Sequence, residues 1–200
     1  MAFTFFFRDS HTIEKAISFL LPEVAGRQKI KIWDAGCAMG PEPYTFALIL
    51  AEKMNQYSFR NVHIDATDID ETENFGRTIT EGIYPKGDLS RMPQDIFDKY
   101  FKPVEDTGNF LIDVNIRNRV HFRKHDLLTY QPFDFNYNMV ICKNVLLHFQ
   151  YEQRVEVIKM FHQVLQDGGL FFTEQTQPLP EENYVHFEKI ATDANVYRKK

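Results

Sequence analysis

The chain has 200 residues, of which 44% are hydrophobic and 26% are charged, and its formal net charge is −5. This length and composition are typical of a globular protein with one substantial core. The negative charge argues against a general nucleic-acid-binding protein, because such proteins need a basic surface to meet phosphates. The two cysteines, Cys37 and Cys142, are far apart and indicate buried thiols rather than a metal pair. The apolar start is too short for a signal peptide or a membrane span, which predicts a cytoplasmic protein without membrane insertion.

Apolar spacing along the chain predicts strands that alternate with helices. A helix is predicted over residues 11–25, followed by a short strand in KIKIWDAG and a second helix over 41–56. The next strand is NVHIDATDID. The later predicted elements are helices over 71–80 and in SRMPQDIFDKYF, a hairpin over 108–124, a buried strand in FNYNMVICKN, a helix over 151–166 ended by Asp167-Gly168-Gly169, and strands LFFTEQ and NVYRK.

This alternation predicts a mainly parallel sheet that is covered by helices on both faces. We therefore expect an α/β fold in which residues 1–200 form a single domain. The alternating apolar and polar residues over 108–124 predict a small antiparallel β-hairpin subdomain inserted into that domain.

A glycine turn is predicted between the first strand and the second helix, in WDAGCAMG (Trp33–Gly40). Gly36 and Gly40 allow the backbone to turn sharply and to approach a ligand closely, because neither has a Cβ. The GxxxG spacing does not match a dinucleotide GxGxxG turn. It fits the looser acid-x-G-x-x-x-G turn of Rossmann-type methyltransferases. Glycines that serve only packing are the alternative.

An acidic residue, Asp68, follows the second strand, where Rossmann-type folds hydrogen-bond a ribose. The alternative is that Asp65, Asp68 and Asp70 solvate a loop or cap the next helix. The turn and the acid in this order favour a nucleoside ligand.

Many segments in one order resemble the CheR family of chemotaxis receptor glutamate O-methyltransferases, over nearly the whole chain. The matching segments are TFFFRDSH, WDAGCAMGPEPYTFA, ATDID, GIYPKGDL, MPQDIFDKYF, VHFRKHDLL, CKNVLLHF, DGGLFF and a terminal YRK. The resemblance implies a Rossmann-like class I methyltransferase that uses S-adenosyl-L-methionine and no metal. It also implies a protein or peptide carboxylate as the methyl acceptor, such as a chemoreceptor, and no nucleic acid.

The resemblance implies roles for particular residues. The implied cofactor-binding residues are Thr4, Arg8, Gly36, Gly40, Glu42, Asp68, Asp126, Leu127, Asn144 and Val145. Thr4, Arg8 and Glu42 would contact the amino-acid end of the cofactor, Asp68 the ribose, and Asp126 and Leu127 the adenine. Asn144 and Val145 would border the transferring methyl group. Asn144 and His148 are the implied catalytic residues, although His148 is equally well explained as a histidine that packs on an apolar stretch.

The sequence also departs from the family pattern. Pro41 replaces a glutamate, Lys143 an arginine and His148 a tyrosine, and EQTQ (Glu174 to Gln177) stands where a GHSE-like segment is usual. The chain opens where the family's catalytic domain normally starts, so we expect a partner subunit to replace the N-terminal helical domain. Two alternatives stay open at this point. One is a methyltransferase of the same fold with a small-molecule or other protein acceptor, and the other is a non-catalytic regulatory module that binds the cofactor.

Overall fold

A computed structural model describes residues 4–200 of the chain. Within that range the helices are α1 (Ser10–Val24), α2 (Pro41–Lys53), α3 (Gln56–Phe59), α4 (Phe75–Glu81), α5 (Gln94–Tyr100), α6 (Val114–Arg117) and α7 (Tyr151–Val164). The strands are β1 (Ile30–Ala35), β2 (Val62–Asp68), β3 (Ile83–Pro85), β4 (Phe101–Val104), β5 (Asn109–Ile112), β6 (Val120–Lys124), β7 (Tyr137–Cys142), β8 (Leu165–Thr173), β9 (Phe187–Lys189) and β10 (Asn195–Lys199). Among these residues, no helix has both the length and the apolar character needed to cross a membrane.

The main sheet has seven strands in the order β6-β2-β1-β7-β8-β10-β9. The strands from β6 to β8 are parallel, while β10 runs antiparallel to both β8 and β9. The predicted α/β architecture with a mostly parallel sheet is therefore confirmed. The strand order reverses at β1, which lies between β2 and β7, and ligands of such sheets bind at the carboxyl ends of the strands beside that reversal.

Helices cover both faces of the sheet. Ile32, Ile64 and Ile141 belong to the buried cluster that includes the apolar faces of α1 and α2. Trp33 and Phe171 belong to a second cluster, which includes the buried side of α7. Trp33 is fully buried, and its indole N–H donates a 2.8 Å hydrogen bond to the Thr67 hydroxyl. Apolar side chains on alternate positions of the same strands thus fix which helix covers which face.

The hairpin predicted over residues 108–124 does not form, and that prediction was wrong. Strand β5 instead pairs antiparallel with β3 and β4 in a separate three-stranded sheet, whereas β6 pairs parallel with β2 at the edge of the main sheet. Between β5 and β6 lies α6, where the Asp113 carboxylate accepts a 2.8 Å hydrogen bond from the Asn115 N–H. Both runs alternate apolar and polar residues as a hairpin would, but alternation does not specify the pairing partner of a strand.

Two predicted boundaries also differ from the structure. The helix predicted over 41–56 ends at Lys53, and a separate short helix begins at Gln56 after Asn55 caps it. The helix that starts at Tyr151 ends at Val164, before Asp167-Gly168-Gly169. Those three residues lie within β8, where the register with β7 shifts and Gly168 has a φ of 70°. The glycines therefore accommodate an irregular strand rather than a helix end.

Candidate functional site

A cavity of about 480 Å³ opens at the carboxyl ends of β1, β2, β6 and β7. All the residues that sequence analysis assigned to the site line this cavity, with the exception of Gly40. Lining residues that the sequence analysis did not assign to the site are Cys37, Ala38, Thr67, Ile69, His125, Leu128, Lys143, Leu147 and Phe149. The position beside the strand-order reversal is the one expected for a ligand of a Rossmann-like sheet.

The turn after β1 forms one wall of the cavity. The Gly36 N–H donates a 2.7 Å hydrogen bond to the Thr67 carbonyl at the neighbouring strand. Gly36 has a φ of 104°, and a Cβ placed there would lie 2.1 Å from Cγ2 of Val145. Only glycine meets both conditions, since the backbone is left-handed and the space is taken. The turn therefore packs directly on the segment that follows β7.

Gly40, the second glycine of the predicted turn, lies outside the cavity lining. It immediately precedes α2 and has a φ of 100°. A Cβ there would lie 2.6 Å from Cγ1 of Ile79 and 2.7 Å from the Tyr84 hydroxyl oxygen. Gly40 therefore allows α2 to start close to α4 and β3, and its part in cofactor binding stays a prediction.

Asp68 is the last residue of β2 and lines the cavity. Its Oδ2 accepts a 2.9 Å hydrogen bond from the Ala38 N–H, so it also holds the glycine turn in place. A carboxylate has about four lone-pair sites, so both oxygens keep capacity for further donors. The neighbouring acids have other hydrogen-bond partners. Asp65 accepts a 2.8 Å hydrogen bond from the Tyr137 hydroxyl. Asp70 accepts hydrogen bonds from three backbone N–H groups at the start of α4.

A charge cluster of Lys143, Glu42 and Asp9 lies at the cavity, where the start of α1, the first turn of α2 and the end of β7 meet. The Lys143 side chain is 2% exposed, and its Nζ lies 3.5 Å from Oε2 of Glu42 and 3.6 Å from Oδ2 of Asp9. The pKa of the Glu42 carboxyl is raised, because burial disfavours its charged form more than Lys143 stabilises it. Arg8 reaches the same cavity from the segment before α1.

Asp34, at the acid position of the acid-x-G-x-x-x-G turn, is fully buried. Neither of its carboxylate oxygens has a hydrogen-bond partner among residues 4–200. Burial, followed by the nearby Glu42 carboxylate, raises the pKa of Asp34 well above its ordinary value, while Lys143 opposes the shift. Burial without a hydrogen-bond partner therefore favours the neutral, protonated form of this carboxyl.

This donor set fits S-adenosylmethionine. The cofactor has a carboxylate, an ammonium, a sulfonium, a ribose diol and an adenine. Arg8 suits the carboxylate, and the Glu42 carboxylate, which lines the same cavity, suits the cationic groups. Asp68 lies where a ribose diol is bound in sheets of this kind.

The residues predicted to contact the adenine, Asp126 and Leu127, line the side of the cavity that follows β6. The Asp126 carboxylate accepts a 2.9 Å hydrogen bond from the Leu128 N–H and so starts the short 3₁₀ turn Leu127–Thr129. His125, which sequence analysis missed, lies against Phe133 with the ring centroids 5.3 Å apart. Burial lowers the pKa of His125, which keeps the imidazole neutral near pH 7. This end of the cavity is therefore aromatic and aliphatic, with a few polar atoms, as a planar base requires.

The remaining wall follows β7. Asn144 has a left-handed backbone with a φ of 59°, and its N–H donates a 3.0 Å hydrogen bond to Oε2 of Glu174. His148 ends the 3₁₀ turn Leu146–His148 and is exposed at the cavity. Glu174 lies behind this wall and was not predicted as a site residue. The replacement of a GHSE-like segment by EQTQ (Glu174 to Gln177) was the sequence feature that could have pointed to it. In residues 4–200, no group of three His, Cys, Asp or Glu side chains is arranged to hold a metal ion.

Comparisons with known proteins agree with this geometry. The family model described as "CheR methyltransferase, SAM binding domain" matches residues 2–196. The chain is 32% identical over 172 residues to a chemotaxis protein methyltransferase of Borreliella burgdorferi, covering 81% of this chain and 59% of that protein. It is 29% identical over 211 residues to chemotaxis protein methyltransferase 1 of Pseudomonas aeruginosa, covering 98% of this chain and 73% of that protein.

A probable chemotaxis protein methyltransferase of Rhizobium etli is 26% identical over 204 residues, covering 99% of this chain and 75% of that protein. The chain thus spans between 59% and 75% of the length of these three relatives. The family model, in contrast, covers nearly the whole chain. The chain therefore belongs to the CheR methyltransferase family and corresponds to the family's S-adenosylmethionine-binding domain.

Proposed function

We propose that the domain methylates a glutamate carboxylate on a protein acceptor, with a chemoreceptor as the first candidate. The observation that carries the proposal is the cavity itself. It joins the ribose-binding position at Asp68 to the cations Arg8 and Lys143, and it opens to solvent beside His148. An acceptor held at that opening meets the end of the cavity that Asn144 and Val145 border. The proposal includes a cytoplasmic location, as predicted from the sequence.

When bound, the cofactor supplies a methyl group on a sulfonium, whose carbon–sulfur bond breaks as a carboxylate oxygen forms the ester, and the products are neutral at both centres. A glutamate carboxylate is already ionised at pH 7, so the protein has no proton to remove. Its residues instead bind, orient and exclude water. His148, at the exposed edge, has ring nitrogens that can donate a hydrogen bond to the acceptor carboxylate.

The charges around the cavity support an anionic acceptor. Lys143 immediately precedes Asn144 in the chain and lines the same cavity. Lys143 is held between Glu42 and Asp9, so its position does not depend on a ligand. A preorganised cation near the acceptor attracts a carboxylate and disfavours a neutral or cationic nucleophile.

Label transfer from tritiated S-adenosylmethionine tests the proposal. Recombinant chemoreceptor cytoplasmic fragments would be compared with matched fragments in which the methylated-region glutamates are replaced by glutamine. We expect label in the glutamate fragments only, and we expect mild alkali to release it as methanol, because methyl esters hydrolyse. Alkali-stable label, or label in small molecules alone, would assign a different acceptor. Tight cofactor binding without transfer to any acceptor would support a regulatory module.

A further inference from the structure

The segment after β8 places a buried carboxylate directly behind the cavity wall. Glu174 is 5% exposed and does not line the cavity. Its Oε2 accepts a 3.0 Å hydrogen bond from the Asn144 N–H and lies 2.7 Å from the Thr173 hydroxyl, whose single proton is shared with the Cys142 carbonyl, also at 2.7 Å. No cation lies within ion-pair distance of it in the part of the chain that the structure describes. A buried carboxylate without a cation is costly, so the contacts that it makes need an explanation.

Asn144, whose N–H contacts Glu174, connects two parts of the cavity wall. Lys143, on one side of Asn144, belongs to the charge cluster with Glu42. Val145, on the other side, packs against the glycine turn at Gly36. One backbone rotation at Asn144 would move both neighbours. Asn144 itself has a φ of 59°, a left-handed conformation that is uncommon for residues other than glycine, although asparagine adopts it more readily than most.

The main chain of Glu174 is fixed independently of its carboxylate. The Asn195 side-chain amide donates a 2.7 Å hydrogen bond to the Glu174 carbonyl and a second, of 3.3 Å, to the Gln177 carbonyl. The Arg154 guanidinium also donates to the Gln177 side chain. The end of β8 would therefore stay in place without the carboxylate. What the carboxylate adds is the link to Asn144.

From this geometry we infer that Glu174 is a positioning residue for methyl transfer: it locks Asn144 in its left-handed conformation and so sets the cavity wall beside the methyl group. The inference rests on the proposed function, because it concerns the same cavity. It assigns a role to a residue that does not line the cavity.

The test uses four variants of the whole chain, Glu174→Ala, Glu174→Gln, Asn144→Gly and the double variant Glu174→Ala/Asn144→Gly. Calorimetry measures their affinity for S-adenosylhomocysteine. We expect Glu174→Ala to weaken binding about tenfold or more, because a hydrogen bond to a charged group is lost. Glu174→Gln keeps an acceptor oxygen for the Asn144 N–H and should stay within about threefold of the wild type. Glycine adopts positive φ freely, so adding Glu174→Ala to Asn144→Gly should cost about threefold or less.

Asn195→Ala is the matched structural control, since it loosens the same segment but leaves the carboxylate in place. We expect a lower urea midpoint for this variant, with cofactor affinity within about threefold of the wild type. An equal loss of affinity from Glu174→Ala in both backgrounds, or a loss as large in Asn195→Ala, would overturn the inference.

Amide hydrogen exchange distinguishes a failure of the positioning role of Glu174 from a failure of the proposed function. In the ligand-free protein, the Asn144 N–H should exchange about tenfold faster in Glu174→Ala than in Glu174→Gln, because only the latter keeps its acceptor. Equal exchange would overturn the positioning role whatever the cofactor does. Failure of the wild type to bind S-adenosylhomocysteine, with the exchange difference present, would overturn the proposed function alone.

Discussion

Gly36 and Val145 occupy the same small space, since a Cβ on Gly36 would lie 2.1 Å from Cγ2 of Val145. We expect Gly36→Ala to push these two cavity walls apart. Overpacking and a forced positive φ should together lower the free energy of unfolding by about 2–4 kcal/mol, and cofactor affinity should fall more than tenfold.

Chemical denaturation and calorimetry with S-adenosylhomocysteine measure these two effects. Gly26→Ala is the control, because Gly26 also has a positive φ, of 75°, but has no atom within 4 Å of its added Cβ. It should cost about 1 kcal/mol in stability and leave affinity unchanged. Equal effects of the two substitutions on affinity would show that the contact with Val145 is unimportant for the cavity.

Asp68→Ala should weaken cofactor binding by about 1–3 kcal/mol, because the ribose hydroxyls lose a charged acceptor. The structure adds a stability cost, since the Ala38 N–H loses its 2.9 Å partner as well. Titration calorimetry measures the first effect and urea denaturation the second. Asp70→Ala removes the carboxylate that caps α4 and should reduce stability without changing affinity. A weaker cofactor complex in Asp70→Ala than in Asp68→Ala would move the ribose role away from Asp68.

Asp34 should make the ligand-free protein less stable as the pH rises. Its pKa is raised in the folded state, first by burial and then by Glu42, so the folded state holds a proton that the unfolded state has released. The stabilisation is complete below the ordinary aspartate pKa and is lost as the pH rises through the folded value. Asp34→Asn should flatten this dependence and be more stable than the wild type at the alkaline end.

Urea denaturation of the wild type and of Asp34→Asn from pH 4 to 9 measures that difference, in which the contributions of the histidines cancel. Glu105→Gln removes an exposed carboxylate and serves as the control for net charge. Its stability profile should run parallel to that of the wild type. A parallel profile for Asp34→Asn would mean that the buried carboxyl is not protonated in the folded state.

His148→Ala should lower the methyl-transfer rate to a carboxylate acceptor about tenfold, because one hydrogen bond to the acceptor is lost. Cofactor affinity should change less than twofold, since the side chain lies at the exposed edge of the cavity. Steady-state label transfer and calorimetry separate these quantities. His11→Ala, an exposed histidine on α1 outside the cavity, controls for general effects. Unchanged turnover in His148→Ala would favour a packing role.

Local sequence patterns predicted the parts of the fold that depend on neighbouring residues. The strand, turn and helix from Ile30 to Lys53 are such a case, because the glycine at 36 and the prolines of α2 have fixed conformational preferences. The pairing of residues 108–124 was missed because alternation does not specify a partner: β5 pairs with β4 and β3, and β6 pairs with β2. The sequence likewise shows that residues 34 and 174 are acids, but it does not show what surrounds them. Only the fold reveals that Asp34 lies near Glu42 and that Glu174 contacts the Asn144 N–H.

The last strand of the main sheet is inserted between two others, since β10 pairs with β8 on one side and β9 on the other. Strand β9 has no hydrogen-bonded neighbour except β10 in the described sheet. Any opening that releases β10 therefore releases β9 with it, so the amides of Phe187–Lys189 cannot be more protected from solvent exchange than those of Asn195–Lys199. The same opening releases the Asn195 side chain from the Glu174 carbonyl, whereas the bond between the Asn144 N–H and the Glu174 carboxylate is a separate contact.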